Sequence, residues 1–263
     1  MQGYGGDPPK VGGENWIGRN AAVQWARSQL WEVAQTDLPV LICGEPGTGR
    51  GLAARLIHEL GRRASGPFVR FDCVAPAIPV ETSGSFAPVD EARGGTLFLD
   101  EVGCLPVTWQ ESLLPALREQ GPGMGSAAVD GRWPRLVAGT GQDLGQLVRA
   151  GRFTDEVRHR LAVVQVDLPP LRDRRGDIPL LARYFVAGCA ARMGRPRPVL
   201  THPAMVALLG YGWPGNVWEL KRVLERAVVL AASGRIGPEH LVRPQQEGGC
   251  GYLLGLTASR AGD

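Results

Sequence analysis

Val40-Leu41-Ile42-Cys43-Gly44-Glu45-Pro46-Gly47-Thr48-Gly49-Arg50-Gly51-Leu52 is the stretch that decides the fold. Val40 to Cys43 is a short, apolar, partly β-branched run, the pattern of a parallel strand buried on both faces. Leu52, Leu56 and Leu60 recur at intervals of four, which gives a helix an apolar stripe to pack back on the sheet. Between strand and helix runs a glycine-rich turn. Glycines let backbone N–H groups face an anion, and the start of a helix adds positive potential, so the three parts together predict a phosphate cradle. A turn that joins strand to helix and holds no ligand is the plainer reading of the same residues.

The end of the cradle is altered. The usual pattern closes on Gly-Lys followed by Ser or Thr, the lysine reaching the β and γ phosphates and the hydroxyl reaching magnesium. Here those two positions are Arg50 and Gly51. Arginine keeps the charge, but its planar fork is bulkier than an ammonium and asks for different donor geometry. Weaker nucleotide binding and much weaker hydrolysis are therefore expected.

With 263 residues, 44% hydrophobic and 21% charged, the chain is long enough to bury a full core and reads as one α/β domain with a smaller partner. No run approaches the ~20 apolar residues of a membrane helix, and the first thirteen residues carry no signal-peptide pattern, so the cytoplasm is the expected location. Cys43, Cys73, Cys104, Cys189 and Cys250 are odd in number and widely spaced, and read as reduced thiols rather than metal ligands. A net charge of +3 does not by itself imply a nucleic-acid surface. The only lysines, Lys10 and Lys221, lie far from the cradle.

Residues 1–13 read as a loose leader and a helix starts near Ala21. Four further strands are predicted at Phe68–Phe71, Thr96–Leu99, Arg135–Ala138 and Val163–Val166, interleaved with helices, which argues for a parallel sheet covered on both sides. Pro169-Pro170 marks a boundary. From Asp177 the strands are expected to stop, leaving helices at Ile178–Arg192, Pro203–Leu209 and Val217–Ala232, a turn at Pro238–Leu241 and a loose tail from Gln245. Thr96-Leu97-Phe98-Leu99-Asp100-Glu101 ends a strand on two acids beside the cradle. There the first acid would hold magnesium and the second would polarise an attacking water.

With these segments in hand the chain resembles, over about residues 15 to 244, the central AAA+ domain of bacterial sigma-54-dependent transcription activators. The resemblance is carried by Ile17-Gly18-Arg19-Asn20, by Gly44 to Arg50 with Ala54 to His58, by Gly94 to Glu101, by Leu168-Pro169-Pro170-Leu171-Arg172-Asp173-Arg174 with Asp177 to Leu181, and by Tyr211-Gly212-Trp213-Pro214-Gly215-Asn216-Val217. It implies an α/β AAA+ P-loop NTPase core at residues 14–172, a five-stranded parallel sheet flanked by helices, then a small helical lid at 173–244 and tails at 1–13 and 245–263. It also implies ATP and Mg2+ as cofactors and a ring, usually a hexamer, as the working form. Nucleotide contacts would come from Ile17, Gly18, Gly44, Glu45, Pro46, Gly47, Thr48, Gly49, Arg50, Gly51 and Thr140. Asp100 would hold the metal, and Asp100, Glu101 and Arg160 would carry the chemistry.

Several positions depart from that family. Its members grip the sigma factor with a Gly-Ala-Phe-Thr-Gly-Ala loop, whereas the connection from Val74 to Arg93 offers only Gly84-Ser85-Phe86-Ala87-Pro88. Phe153 is followed by Thr154 where an arginine finger is usual, leaving Arg160 as the second candidate; a finger is worth ~10³ or more in rate. The sensor asparagine is replaced within Gly139-Thr140-Gly141, and the lid arginine by Trp218. Asp72 stands where an asparagine normally bonds the catalytic glutamate, which would set two like charges against each other and disfavour the ionised base. After Pro244 nineteen residues remain, too few for a helix-turn-helix, so direct DNA binding is not expected, and no sensory domain is expected before Asn15. The expectation is a stand-alone, hydrolysis-impaired AAA+ subunit that binds ATP or ADP weakly and regulates transcription through protein contacts, self or related subunits sharing its ring. An active ATPase with altered residues, and an interaction module that has lost nucleotide, remain the alternatives.

Overall fold

The computed structural model describes residues 10–11, 14–74, 87–118, 133–231 and 234–241. Strands β1 (Lys10–Val11) and β2 (Glu14–Asn15) form a small antiparallel pair, so part of the expected leader is ordered backbone. Helix α1 (Ala21–Ala34) follows, capped by Asn20, whose side chain accepts the Ala22 N–H. The body is built from β3 (Val40–Cys43), α2 (Arg50–Glu59), β4 (Phe68–Asp72), α3 (Ala87–Glu91), β5 (Thr96–Asp100), α4 (Val107–Arg118), β6 (Arg135–Thr140), α5 (Leu144–Arg149), α6 (Asp155–Leu161) and β7 (Val164–Asp167).

All five strands of the main sheet are parallel, in the order β4-β5-β6-β3-β7. Each strand alternates its side chains between two cores. Leu97, Leu99, Leu136 and Ala138 join the side chains of α4 to α6, while Val40, Ile42, Phe98, Val137 and Val166 join those of α1 and α2. Burial on both faces of β3, β5 and β6 explains why these central strands read as apolar runs, whereas the edge strands β4 and β7 carry exposed polar residues. Because β3 lies between β6 and β7, the chain reverses its winding direction beside β3, and the loop after β3 opens at that switch point, where ligands of α/β sheets bind.

Two titratable core groups tie stability to pH and charge. Arg135 is buried at the start of β6, where its guanidinium donates to the carbonyls of Val33 (2.7 Å), Ala34 (3.2 Å) and Leu38 (3.3 Å). It thereby supplies donors to the C-terminal end of α1, which lacks them internally, and burial pulls its pKa down to about 10. His58 on α2 is buried with Nδ1 3.0 Å from the Thr96 hydroxyl, and burial lowers its pKa. The folded chain thus favours the neutral ring. Stability from this group is complete above the ordinary histidine value of about 6.5 and is lost as pH falls from there toward the folded value. A denaturation midpoint that falls between pH 7.5 and 5.5, with a smaller fall in His58→Gln, is the expected outcome.

Contacts divide the chain into two compact units, residues 1–182 with 211–220, and residues 183–210 with 221–263. The second unit comprises the end of α7 (Ile178–Arg192), α8 (His202–Gly210), the end of α9 (Asn216–Leu230) and a short turn at Pro238–His240. It packs Val186, Ala190, Ala204, Leu208, Leu224 and Ala227, and Arg192 pairs with Glu225 at 2.6 Å. The expectation that strands stop after Asp177 is corrected here: β8 (Val199–Leu200) pairs in parallel with β9 (Arg235–Ile236). Two-residue strands are too short to show a period in sequence. The segment Gly84-Ser85-Phe86, Cys250 and the tail lie outside the described residues.

Candidate nucleotide site

The turn from Gly44 to Gly49 wraps the N-terminus of α2. Gly47 has φ +81° and Gly49, the residue before the helix, has φ +113°, values that side chains rarely adopt. A Cβ on Gly49 would meet nothing within 4 Å, so space for a ligand lies over the loop, whereas a Cβ on Gly47 would fall 2.2 Å from the Gly215 carbonyl. Thr48 is buried and its hydroxyl donates to the Glu45 carbonyl at 2.8 Å. Gly47→Ala is therefore expected to force the loop away from Gly215 and to weaken binding of a fluorescent ATP analogue at least about tenfold, through both the clash and the backbone strain.

The far side of the loop is pinned by Asn216. Fully buried and at φ +53°, its side chain accepts the Leu171 N–H (2.8 Å) and donates to the Pro46 carbonyl (2.9 Å) and Glu45 (3.1 Å). The Val217 and Trp218 amides donate to the Gly47 carbonyl at 3.0 and 3.3 Å. Glu45 is also clasped by both terminal nitrogens of Arg172, at 2.8 and 2.6 Å, and these bonds hold its carboxyl below the usual carboxylate range. Trp218 itself is 54% exposed and brings backbone rather than charge to the loop. The sequence marked Asn216 only as part of a family segment; its place after Trp-Pro-Gly, with a side chain that tolerates positive φ, was the available signal.

Arg50 does not point outward over the loop. Its side chain is 7% exposed, one nitrogen donates to the Gly44 carbonyl at 2.8 Å, and the other donates to Glu101 and, at 3.3 Å, to Asp100. The second oxygen of Asp100 accepts from Arg70 at 2.6 Å, and the second oxygen of Glu101 accepts from the Gly141 N–H at 3.1 Å. Glu101 adopts φ +55° at the head of a 3₁₀ turn, a strained setting that the two bonds hold in place. The glycines that replace the family's sensor side chains adjoin Arg50: a Cβ on Gly139 would lie 3.5 Å from its Cδ and one on Gly141 3.2 Å from its Nη1. The side chain absent at 141 thus leaves room for the guanidinium, while a Cβ at 139 would crowd the Phe98 ring at 3.1 Å.

Other expected residues take these places. Asp72 is exposed, accepts the Val74 N–H at 3.0 Å and lies directly across from Asp100 in the sheet, so the acid its register sets it against is Asp100; Arg70, diagonal to Asp100, supplies the neighbouring positive charge. Thr140 is buried with its hydroxyl 3.1 Å from the Gln142 carbonyl, closing its own turn. Ile17 and Gly18 lead into α1, and the next two amides, of Arg19 and Asn20, bond Asp177 at 2.6 and 3.2 Å. Arg160, near the end of α6, pairs with Glu156 at 3.1 Å, a carboxylate that Arg118 shares. A cavity of about 580 Å3 opens beside Gly44, Glu45, Thr140 and Arg158; Asp100, Glu101 and Arg50 are not in its walls.

The cradle suits a nucleotide phosphate: backbone N–H groups, a helix start and open space above Gly49. The donors around Asp100 do not suit a magnesium ion, which takes oxygens in near-octahedral geometry. Each oxygen of Asp100 and Glu101 is already bonded, and Gly51 brings no hydroxyl. Among the described residues no group of three or more His, Cys, Asp or Glu side chains could hold a metal, and no helix is long and apolar enough to cross a membrane.

Comparison with known proteins fits this geometry. Residues 17–171 match the sigma-54 interaction domain and residues 172–249 the AAA+ ATPase lid domain. The chain is 40% identical over 243 residues to the DNA-binding transcriptional regulator NtrC of Azospirillum brasilense, covering 84% of this chain and 49% of that protein. It is 40% identical over 246 residues to the response regulator protein PilR of Pseudomonas aeruginosa, covering 86% of this chain and 54% of that protein. The chain thus spans about half the length of the curated relatives it matches. The crystal structure of NtrX from Brucella abortus in complex with ATP superposes with a TM-score of 0.77 at 31% identity, over 88% of this chain and 55% of that one. Its complex with ADP gives 0.76 at 31% identity, over 86% and 54%. The parallel sheet, the P-loop and the matched residues agree, and the chain belongs to the sigma-54 interaction domain family of AAA+ P-loop NTPases, which act in transcription regulation.

Proposed function

We propose that this chain binds ATP or ADP in the Gly44–Gly51 cradle, hydrolyses it poorly or not at all, and regulates transcription through protein contacts, as a cytoplasmic partner in a ring of its own or related AAA+ subunits. The observation that carries the reading is the burial of Arg50 against Asp100 and Glu101. A general base must be free to accept a proton from water, and a carboxylate bonded to a guanidinium and a backbone N–H has little capacity left for that. NtrX, solved with ATP and with ADP, is 31% identical to this chain, which supports the nucleotide assignment. In a ring Arg160 would face a neighbour's nucleotide, with Ile17 and Gly18 lying beside the chain's own.

The sequence between Val74 and Arg93 lacks the family's sigma-gripping motif, so the partner addressed is another AAA+ subunit rather than the sigma factor. Co-purification with a hydrolysing activator of this family, together with a change in that activator's ATPase rate on adding this chain, is the expected result. A chain that stays monomeric and leaves the activator's rate unchanged would remove the regulatory assignment.

A further inference from the structure

We infer that this chain takes its nucleotide as the free polyphosphate, without magnesium, with Arg50 in the place of the divalent cation and, together with Arg70, offsetting the charge of the two acids. The inference rests on the nucleotide-binding reading above and deepens it. In an ordinary site of this kind the metal bridges phosphate and carboxylate oxygens, and without it the acids and the polyphosphate repel each other. Here the acids are neutralised from within. Arg50 bridges Asp100 and Glu101 from one side, Arg70 holds the other oxygen of Asp100, and the Gly141 amide holds the other oxygen of Glu101. One terminal nitrogen of Arg50 donates to both carboxylates, and such charge-assisted bonds are stronger than neutral ones.

Two departures from the family pattern, at positions 50 and 141, therefore form one physical unit. The arginine at position 50 is long enough to reach both acids. The glycine at 141 leaves it room, since a Cβ there would sit 3.2 Å from its Nη1, whereas a Cβ at 139 would press on the Phe98 ring at 3.1 Å and only touch the Arg50 Cδ at 3.5 Å. Its other nitrogen is tied to the Gly44 carbonyl at 2.8 Å, which fixes the side chain under the loop. An incoming metal would have to expel a 7% exposed guanidinium from three partners, with no hydroxyl at Gly51 to receive the ion. The phosphates need none of this to bind, because the backbone amides and the start of α2 supply the positive potential.

The test is a titration of the full chain with a fluorescent ATP analogue, in EDTA and in excess MgCl2, for the wild type and Arg50→Lys. The wild-type Kd is expected to agree within about threefold between the two buffers, while Arg50→Lys, with a compact ammonium, gains a preference for magnesium of about tenfold or more. MgCl2 without nucleotide is expected to leave the wild-type melting temperature unmoved. Wild-type binding that tightens tenfold or more with magnesium overturns the inference and leaves the nucleotide reading standing. Absence of binding in both buffers overturns the two together. The wild-type comparison decides the matter even if Arg50→Lys fails to fold.

Discussion

Arg50→Ala is expected to lower the unfolding free energy by about 3 kcal/mol or more, the range for breaking a buried ion pair by removing one partner. Asp100 and Glu101 would then lie close together with only Arg70, which is 59% exposed, and one amide to offset their charge. The Gly44 carbonyl would lose its side-chain donor, and the space beside Gly139 and Gly141 would be left as a void. Urea denaturation gives the measurement. A loss below about 1 kcal/mol, the scale of an exposed pair, would mean that the arginine is not bound to the acids in solution. Arg50→Ala combined with Asp100→Asn and Glu101→Gln should recover part of the loss, because the stranded charge is removed along with its partner.

Asn216→Ala carries the second largest expected effect, again about 3 kcal/mol, from two sources: buried groups left without partners and alanine held at positive φ. The Leu171 amide and the Pro46 carbonyl would both lose the side chain that now joins them. Asn216→Gly separates the causes, since glycine accepts the backbone conformation but restores no hydrogen bond; it should be less damaging by about 1 kcal/mol. Denaturant midpoints give the stabilities. Faster amide exchange at Gly47 and Gly49 in both variants would show that Asn216 anchors the cradle, while unchanged exchange there would confine its role to the Leu171 turn.

The sheet and the cradle were legible because their signals are local. Val40 to Cys43 and Thr96 to Leu99 are apolar runs whose burial on both faces needs no further information, and glycine at 47 and 49 announces a backbone that other residues resist. Most helix bounds fell within one residue of their expected positions: Ile178–Arg192 was read as observed, and His202–Gly210 extends the expected Pro203–Leu209 by one at each end. The destination of Arg50 was not legible. Its room depends in part on the side chain missing at 141, a position far away in sequence that reads on its own as a damaged sensor. The partner of Asp72 was not legible for a related reason: register, not residue type, sets it across from Asp100, with its carboxylate accepting the Val74 amide. The β8–β9 pair went unseen because two residues carry no period and the partners lie about 36 positions apart.

Phosphate release from ATP by the purified chain, measured beside Glu101→Gln under the same conditions, tests most directly whether the guanidinium has taken the acids out of the chemistry. The expected result is a rate indistinguishable between the two proteins, at or near the uncatalysed background. Turnover on the order of 1 per second or faster, as ordinary enzymes show, abolished by Glu101→Gln, would mean that Glu101 is free to act and that Arg50 leaves it when nucleotide binds.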